Sequence, residues 1–122
     1  MKLAIVDDNP AVRTALGRLL RIMGHEVQEF DSAEEFEADG ADVDCAVVDV
    51  RMPGVGGLEL VRRLKLRDVP IPAVLISGDT SLDAGYGASS CDVPYLAKPF
   101  DDSTLMAAIS EAIASRENSN GA

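Results

Sequence analysis

Five short apolar runs, "KLAIVD", "HEVQEF", "DCAVVDV", "IPAVLIS" and "VPYLAKP", recur along the chain with longer connections between them. Runs of this length, bounded by turn-forming or charged residues, read as β-strands. Two parallel neighbours need a connection long enough to travel back along the sheet, usually a helix, so strands alternating with helical spacing predict a parallel sheet. The third and fourth runs are apolar almost without a break, as strands covered on both faces are. The predicted fold class is α/β, a doubly wound five-stranded sheet.

The connections carry the matching helix signals. Val12, Ala15, Leu16, Leu19, Leu20 and Met23 are spaced for one helical face, with Asn9 as N-cap, Pro10 in the first turn and Gly24 just past the end. Ser32 with Glu35 makes a capping-box pattern that opens a short second helix. Leu58, Val61 and Leu64 begin a third, and Asp101 or Ser103 can cap a last one whose inner face is Leu105, Ala108, Ile109, Ala112 and Ile113. The segment "GDTSLDAGYGASSCDVP", residues 78–94, breaks the pattern. It places three glycines and several serines where a fourth helix belongs, so that helix is expected to be short, irregular or disordered. The polar end "SRENSNGA" is expected to fray, which leaves residues 1–115 as the domain and 116–122 as a tail.

A chain of 122 residues can bury one core but not two. Its apolar runs are too short to cross a bilayer and "MKLAIVDD" is too short for a secretory signal, so a soluble, cytoplasmic domain is expected. Cys45 within an apolar run and Cys91 in a loop-like stretch form neither a disulfide framework nor a zinc spacing. The formal charge of -10, from 11 basic and 21 acidic residues with no basic stripe, argues against nucleic acid or an anionic membrane as a partner of this domain alone.

In an open α/β sheet, ligands bind beyond the carboxyl ends of the strands. Those positions hold Asp7 and Asp8 after the first strand, Asp49 after the third, Ser77 after the fourth and Lys98 after the fifth. Crowding carboxylates is costly: two unit charges about 4 Å apart repel by roughly 4 kcal/mol at an effective dielectric of about 20. Positive charge is therefore expected among them. Lys98 can supply one charge and a hard divalent cation the rest, and Mg²⁺ suits few carboxylates, retained waters and a phosphate oxygen. A carboxylate beside Mg²⁺ and a lysine is a candidate nucleophile toward phosphorus, and Asp49 holds that place.

The segments "VDDNPAVR", "AVVDVRMPGVGGLELVRRL", "LISG" and "YLAKPF", in this order across essentially the whole chain, resemble the receiver domain of two-component response regulators. With "DSAEEF" and "DVRMPG" the wording is nearest to receivers of the FixJ-like type. The resemblance implies a flavodoxin-like sheet in the order 2-1-3-4-5 and a phosphorylation switch, with Asp49 as phosphoacceptor. It makes Asp8 a direct Mg²⁺ ligand, Asp7 one acting largely through water, and the backbone carbonyl of Arg51 a further ligand. Ser77 and Lys98 would each hold a phosphoryl oxygen, Tyr95 would follow the hydroxyl of Ser77, and the Lys98–Pro99 bond would be cis. The implied phosphodonor is a histidine kinase or a histidine phosphotransfer protein, and the output is binding to a downstream protein effector. The domain then promotes only its own phosphorylation and dephosphorylation and is not otherwise an enzyme.

Two features depart from the usual receiver. Arg51 places a long cation two residues after Asp49, where access to a phosphoryl group is controlled. The "GYG"-containing stretch resembles an irregular connection of some stand-alone receivers. Met52 and Pro53 shape the loop after Asp49, and Gly54, Gly56 and Gly57 are expected to give it turns. His25 opens the second strand, far from the carboxyl-end crevice, as a surface residue. Other readings compete. A Mg²⁺-dependent phosphohydrolase of the haloacid dehalogenase kind needs an acid where Arg51 stands. A nucleotide or flavin binder needs a phosphate-cradling loop where "VDDNPA" presents carboxylates. A degenerate receiver that only binds protein would have no need of the intact acidic set.

Overall fold

The computed structural model describes residues 1–39, 42–52, 54–67, 69–77, 93–98 and 100–121. In chain order the elements are β1 (Lys2–Val6), α1 (Pro10–Ile22), β2 (Glu26–Phe30), α2 (Ala33–Asp39), β3 (Cys45–Asp49), α3 (Gly57–Lys65), β4 (Ala73–Ser77), β5 (Tyr95–Ala97) and α4 (Asp102–Gly121). All pairings are parallel and the sheet order is β2-β1-β3-β4-β5, as the sequence patterns and the family resemblance led one to expect. The irregular stretch expected from residue 78 falls, up to residue 92, outside the described residues, as do Cys91 and Pro99 with its peptide bond.

Alternation along each strand sorts the side chains into two cores. Leu3 and Ile5 of β1, with Cys45, Val47, Val74 and Ile76, pack under Leu16 and Leu20 of α1 and under Leu105, Ala108, Ile109 and Ala112 of α4. Ala4 and Val6, with Ala46, Val48 and Leu75, pack against Phe36 of α2 and Leu60, Val61 and Leu64 of α3. Phe30 and Phe36 meet edge to face in that second layer, ring centroids 5.2 Å apart. β1, β3 and β4 are therefore covered on both faces, which is why their sequences lack polar alternation.

The caps match their residues. Asn9 Oδ1 accepts from the amides of Ala11 (3.0 Å) and Val12 (3.3 Å), and Gly24 takes the left-handed conformation, φ 93°, just beyond α1. Ser32 Oγ accepts from the Glu35 amide at 3.1 Å. Of the two residues able to cap the last helix, Asp101 does so, its Oδ1 accepting from Thr104 N at 2.8 Å and Ser103 Oγ at 3.1 Å. Those bonds, led by Thr104, hold its carboxyl below the usual range.

Some expectations need correction. Ala15 and Met23 have the right helical spacing but are exposed, while Gly17 is buried in their stead. In α3, Leu58 is only half-buried and Leu60 carries the inner face. The backbone of α4 runs from Asp102 to Gly121. Among the described residues no helix is long and apolar enough to cross a membrane.

Candidate functional site

Register brings the acids together. Val6 of β1 pairs with Val48 of β3, so the next residues outward, Asp7 and Asp49, stand side by side at the carboxyl edge. Asp49 pairs with Ile76, and Ser77 with Ala97, which brings Ser77 and Lys98 to the same edge. The Lys98 amide donates to the Ser77 carbonyl at 2.8 Å. Carboxylate oxygens of Asp7, Asp8 and Asp49 all lie within 4.8 Å of one another, the group of acids that could hold a metal ion among the described residues.

The three acids differ in surroundings. Asp7 is fully buried, Asp49 is 8% exposed and Asp8 is open to solvent. Asp7 Oδ1 accepts from the Asn9 amide at 2.9 Å. Its Oδ2 is buried without a hydrogen bond, 3.5 Å from Lys98 Nζ. Lys98 thus makes its ion pair with Asp7, and its charge also reaches Asp49. Burial first, and then the Asp7 charge, push the Asp49 carboxyl up to about 6; Lys98 and the Arg51 amide, 3.4 Å from Asp49 Oδ1, act in the opposite direction.

Lys98 meets the buried Asp7 oxygen with a single positive charge, which leaves three gathered carboxylates only partly compensated. Together they make an all-oxygen donor set that fits a hard divalent cation. Ser77 is buried beside this edge, and Tyr95 is half-buried, packed against the α2–α3 core. Arg51 is exposed in the loop after Asp49.

The glycines of that loop divide their roles. Gly54 takes φ 74° and so makes the expected turn. Gly57 does something the sequence did not reveal. A Cβ there would overlap the Asp49 carbonyl oxygen and lie 2.8 Å from the Asp49 carbonyl carbon, so only glycine lets α3 start against the backbone of Asp49. Its amide donates to the Val50 carbonyl at 3.0 Å. His25 is half-buried, its Nδ1 3.3 Å from the amino terminus and remote from the acids in sequence and register. Cys45 lies in the core, as expected of it.

Residues 3–110 match the family described as response regulator receiver domain. Transcriptional regulatory protein FixJ of Bradyrhizobium diazoefficiens is 37% identical over 116 residues, 93% of this chain and 57% of the relative. Response regulator protein TodT of Pseudomonas putida is 36% identical over 112 residues, 89% of this chain and 49% of the relative. The chain spans about half the length of the curated relatives it matches. Among solved structures, the crystal structure of FixJ-N superposes with a TM-score of 0.83 at 34% identity, covering 93% of each chain. A response regulator receiver domain protein from Clostridium thermocellum gives 0.80 at 26% identity, covering 95% of this chain and 96% of that one. With its sheet order, its acidic edge and these relatives in agreement, the chain belongs to the response regulator receiver domain family of two-component signalling.

Proposed function

We propose that this receiver is switched by phosphorylation of Asp49 and that the switch alters the affinity of a protein effector. The observation that carries the reading is the gathering of Asp7, Asp8 and Asp49 within 4.8 Å at one sheet edge, with Lys98 against Asp7. Asp8 and Asp49 would ligate Mg²⁺ directly, Asp7 through water, and the Arg51 carbonyl would complete the protein ligands. Bound there, Mg²⁺ neutralises charge on the phosphoryl oxygens during transfer.

The donor is a phosphohistidine of a kinase or phosphotransfer protein. An Asp49 carboxylate oxygen attacks phosphorus, the phosphorus–nitrogen bond breaks, and the imidazole leaves with its electron pair and takes a proton from solvent. Attack needs the ionised carboxylate, which a cation favours by opposing the burial and the Asp7 charge that raise the Asp49 pKa. Ser77 and Lys98 would each take a phosphoryl oxygen, so that Lys98 exchanges its Asp7 partner for the new dianion. Tyr95 would respond to the movement of Ser77. The reaction is the domain's own modification, in the cytoplasm, with no nucleic acid or membrane as partner of this domain.

Mass spectrometry after incubation with acetyl phosphate tests the assignment. Wild type with Mg²⁺ should gain one phosphoryl group, and Asp49→Asn or a chelator should prevent it. Native Asp49→Asn labelled at another residue, or equal labelling in the chelator, would contradict the reading.

A further inference from the structure

The Asp7 carbonyl lies one residue past β1, where the sheet ladder has ended. The Asp7 amide still donates to the Phe30 carbonyl at 3.1 Å, but the carbonyl accepts from Arg13 Nη1 at 2.7 Å. Arg13 sits in the first turns of α1 with its side chain 20% exposed, and its Nε is 3.9 Å from Glu29 Oε1. Glu29, on edge strand β2, is in turn held from its other side: Oε2 accepts from Arg21 Nη1 at 2.8 Å, and Arg21 Nη2 donates to the Val27 carbonyl at 3.2 Å. Gly17 supplies the room, since a Cβ there would stand 2.7 Å from Glu29 Oε2. An acid of β2 is thus wedged on α1 between two arginines, and one of them reaches the backbone of the acidic site.

We propose that Arg13, braced by Glu29, is a positioning residue for the metal site, fixing the peptide between Asp7 and Asp8 and hence the directions in which both carboxylates are presented to a divalent cation. The physical reason is the planar peptide: the carbonyl that Arg13 holds shares its plane with the Asp8 nitrogen, so fixing one fixes the start of the other. The bond is charge-assisted, stronger than one between neutral groups. The guanidinium is a rigid fork that can reach the carbonyl with one nitrogen while Glu29 orients another; a lysine ammonium has the charge but not the fork. Asp8, whose side chain stands in solvent instead of being packed in the core, depends most on its backbone for direction. None of this touches the cation itself, so the role is one of orientation, of the kind whose loss weakens metal binding about 10-fold.

The inference rests on the reading of the acids as a Mg²⁺ site, and its test separates the two. Mg²⁺ is titrated into the unphosphorylated protein and followed by amide chemical shifts of residues 7–9, with thermal melting as a check of folding. Arg13→Ala should raise the Mg²⁺ dissociation constant about 10-fold and Glu29→Gln about 3-fold. Arg13→Lys should recover only part of the loss. Arg18→Ala, which removes an equal charge from an exposed position of α1, should change it less than about 2-fold. Glu29→Gln keeps the test decisive if Arg13→Ala does not fold. Wild-type affinity in Arg13→Ala, or in Glu29→Gln where Arg13→Ala does not fold, would overturn the inference, as would full rescue by Arg13→Lys or an equal loss in Arg18→Ala. Asp8→Asn is the second arm: if it binds Mg²⁺ like wild type, the metal reading fails and takes this inference with it. If Asp8→Asn loses binding while Arg13→Ala keeps it, only the role of Arg13 is refuted.

Discussion

Replacing Asp49 with asparagine should stabilise the metal-free protein at neutral pH, although it destroys the phosphoacceptor. Folding raises the Asp49 carboxyl from its ordinary 3.8 to about 6, because burial and the Asp7 charge disfavour ionisation. Below pH 3.8 both folded and unfolded chains hold the proton. Between 3.8 and 6 the folded chain keeps a proton that the unfolded chain releases, so stability falls as pH rises through this window, and above about 6 the loss is complete. At about 1.36 kcal/mol per unit the full shift corresponds to roughly 3 kcal/mol, which residual contact with water reduces to about 1–2 kcal/mol between about pH 4.5 and 7.5. The substituted amide carries no charge, so the variant should lack this dependence. The assay is urea unfolding of wild type and Asp49→Asn in EDTA at both pH values, since the difference between the two proteins cancels the titration of every group that does not interact with Asp49. The variant's advantage should grow by about 1–2 kcal/mol across that interval, and Mg²⁺ should shrink it by stabilising wild type more than the variant. A difference that is flat with pH, or that favours wild type at the upper pH in EDTA, would refute the account of a buried, uncompensated acid.

Other parts of the molecule give three further expected outcomes. Gly57→Ala should destabilise the domain by about 1–3 kcal/mol in urea unfolding, because its Cβ meets the Asp49 backbone, which cannot turn aside as a side chain could. It should also slow acetyl phosphate labelling, as the Asp49 backbone moves. Asn9→Ala should cost about 1 kcal/mol, measured the same way, by removing the acceptor for the Ala11 and Val12 amides. Burial pushes the Cys45 thiol up to about 12, so in a Cys91→Ser background a disulfide reagent at about pH 7.5 should react with it only after denaturant is added.

Much of the site was legible because it obeys a one-dimensional rule. Strand ends can be read from where apolar runs stop, and the sheet architecture sends those ends to one edge, so Asp7, Asp8, Asp49, Ser77 and Lys98 could be picked out without coordinates. The helix caps at Asn9 and Ser32 were legible for the same local reason, being contacts between residues two or three apart. Exposure was less so: Ala15 and Met23 share a periodicity with Leu16 and Leu20, but which part of a helical stripe faces the sheet depends on how the helix lies upon it.

The amino-acid order by itself determined the elements, their parallel arrangement and the residues available for chemistry, since propensity, periodicity and capping act over a few neighbours. Tertiary structure decided which of those residues meet. Lys98 pairs with Asp7, Arg13 holds the Asp7 carbonyl with Glu29 behind it, and Gly57 is a glycine for the sake of the Asp49 backbone. Most of these contacts join positions on different elements, and all are set by strand register and helix placement. No local pattern encodes a distance between residues 7 and 98; only the packed sheet, which fixes both strand ends at one edge, supplies it.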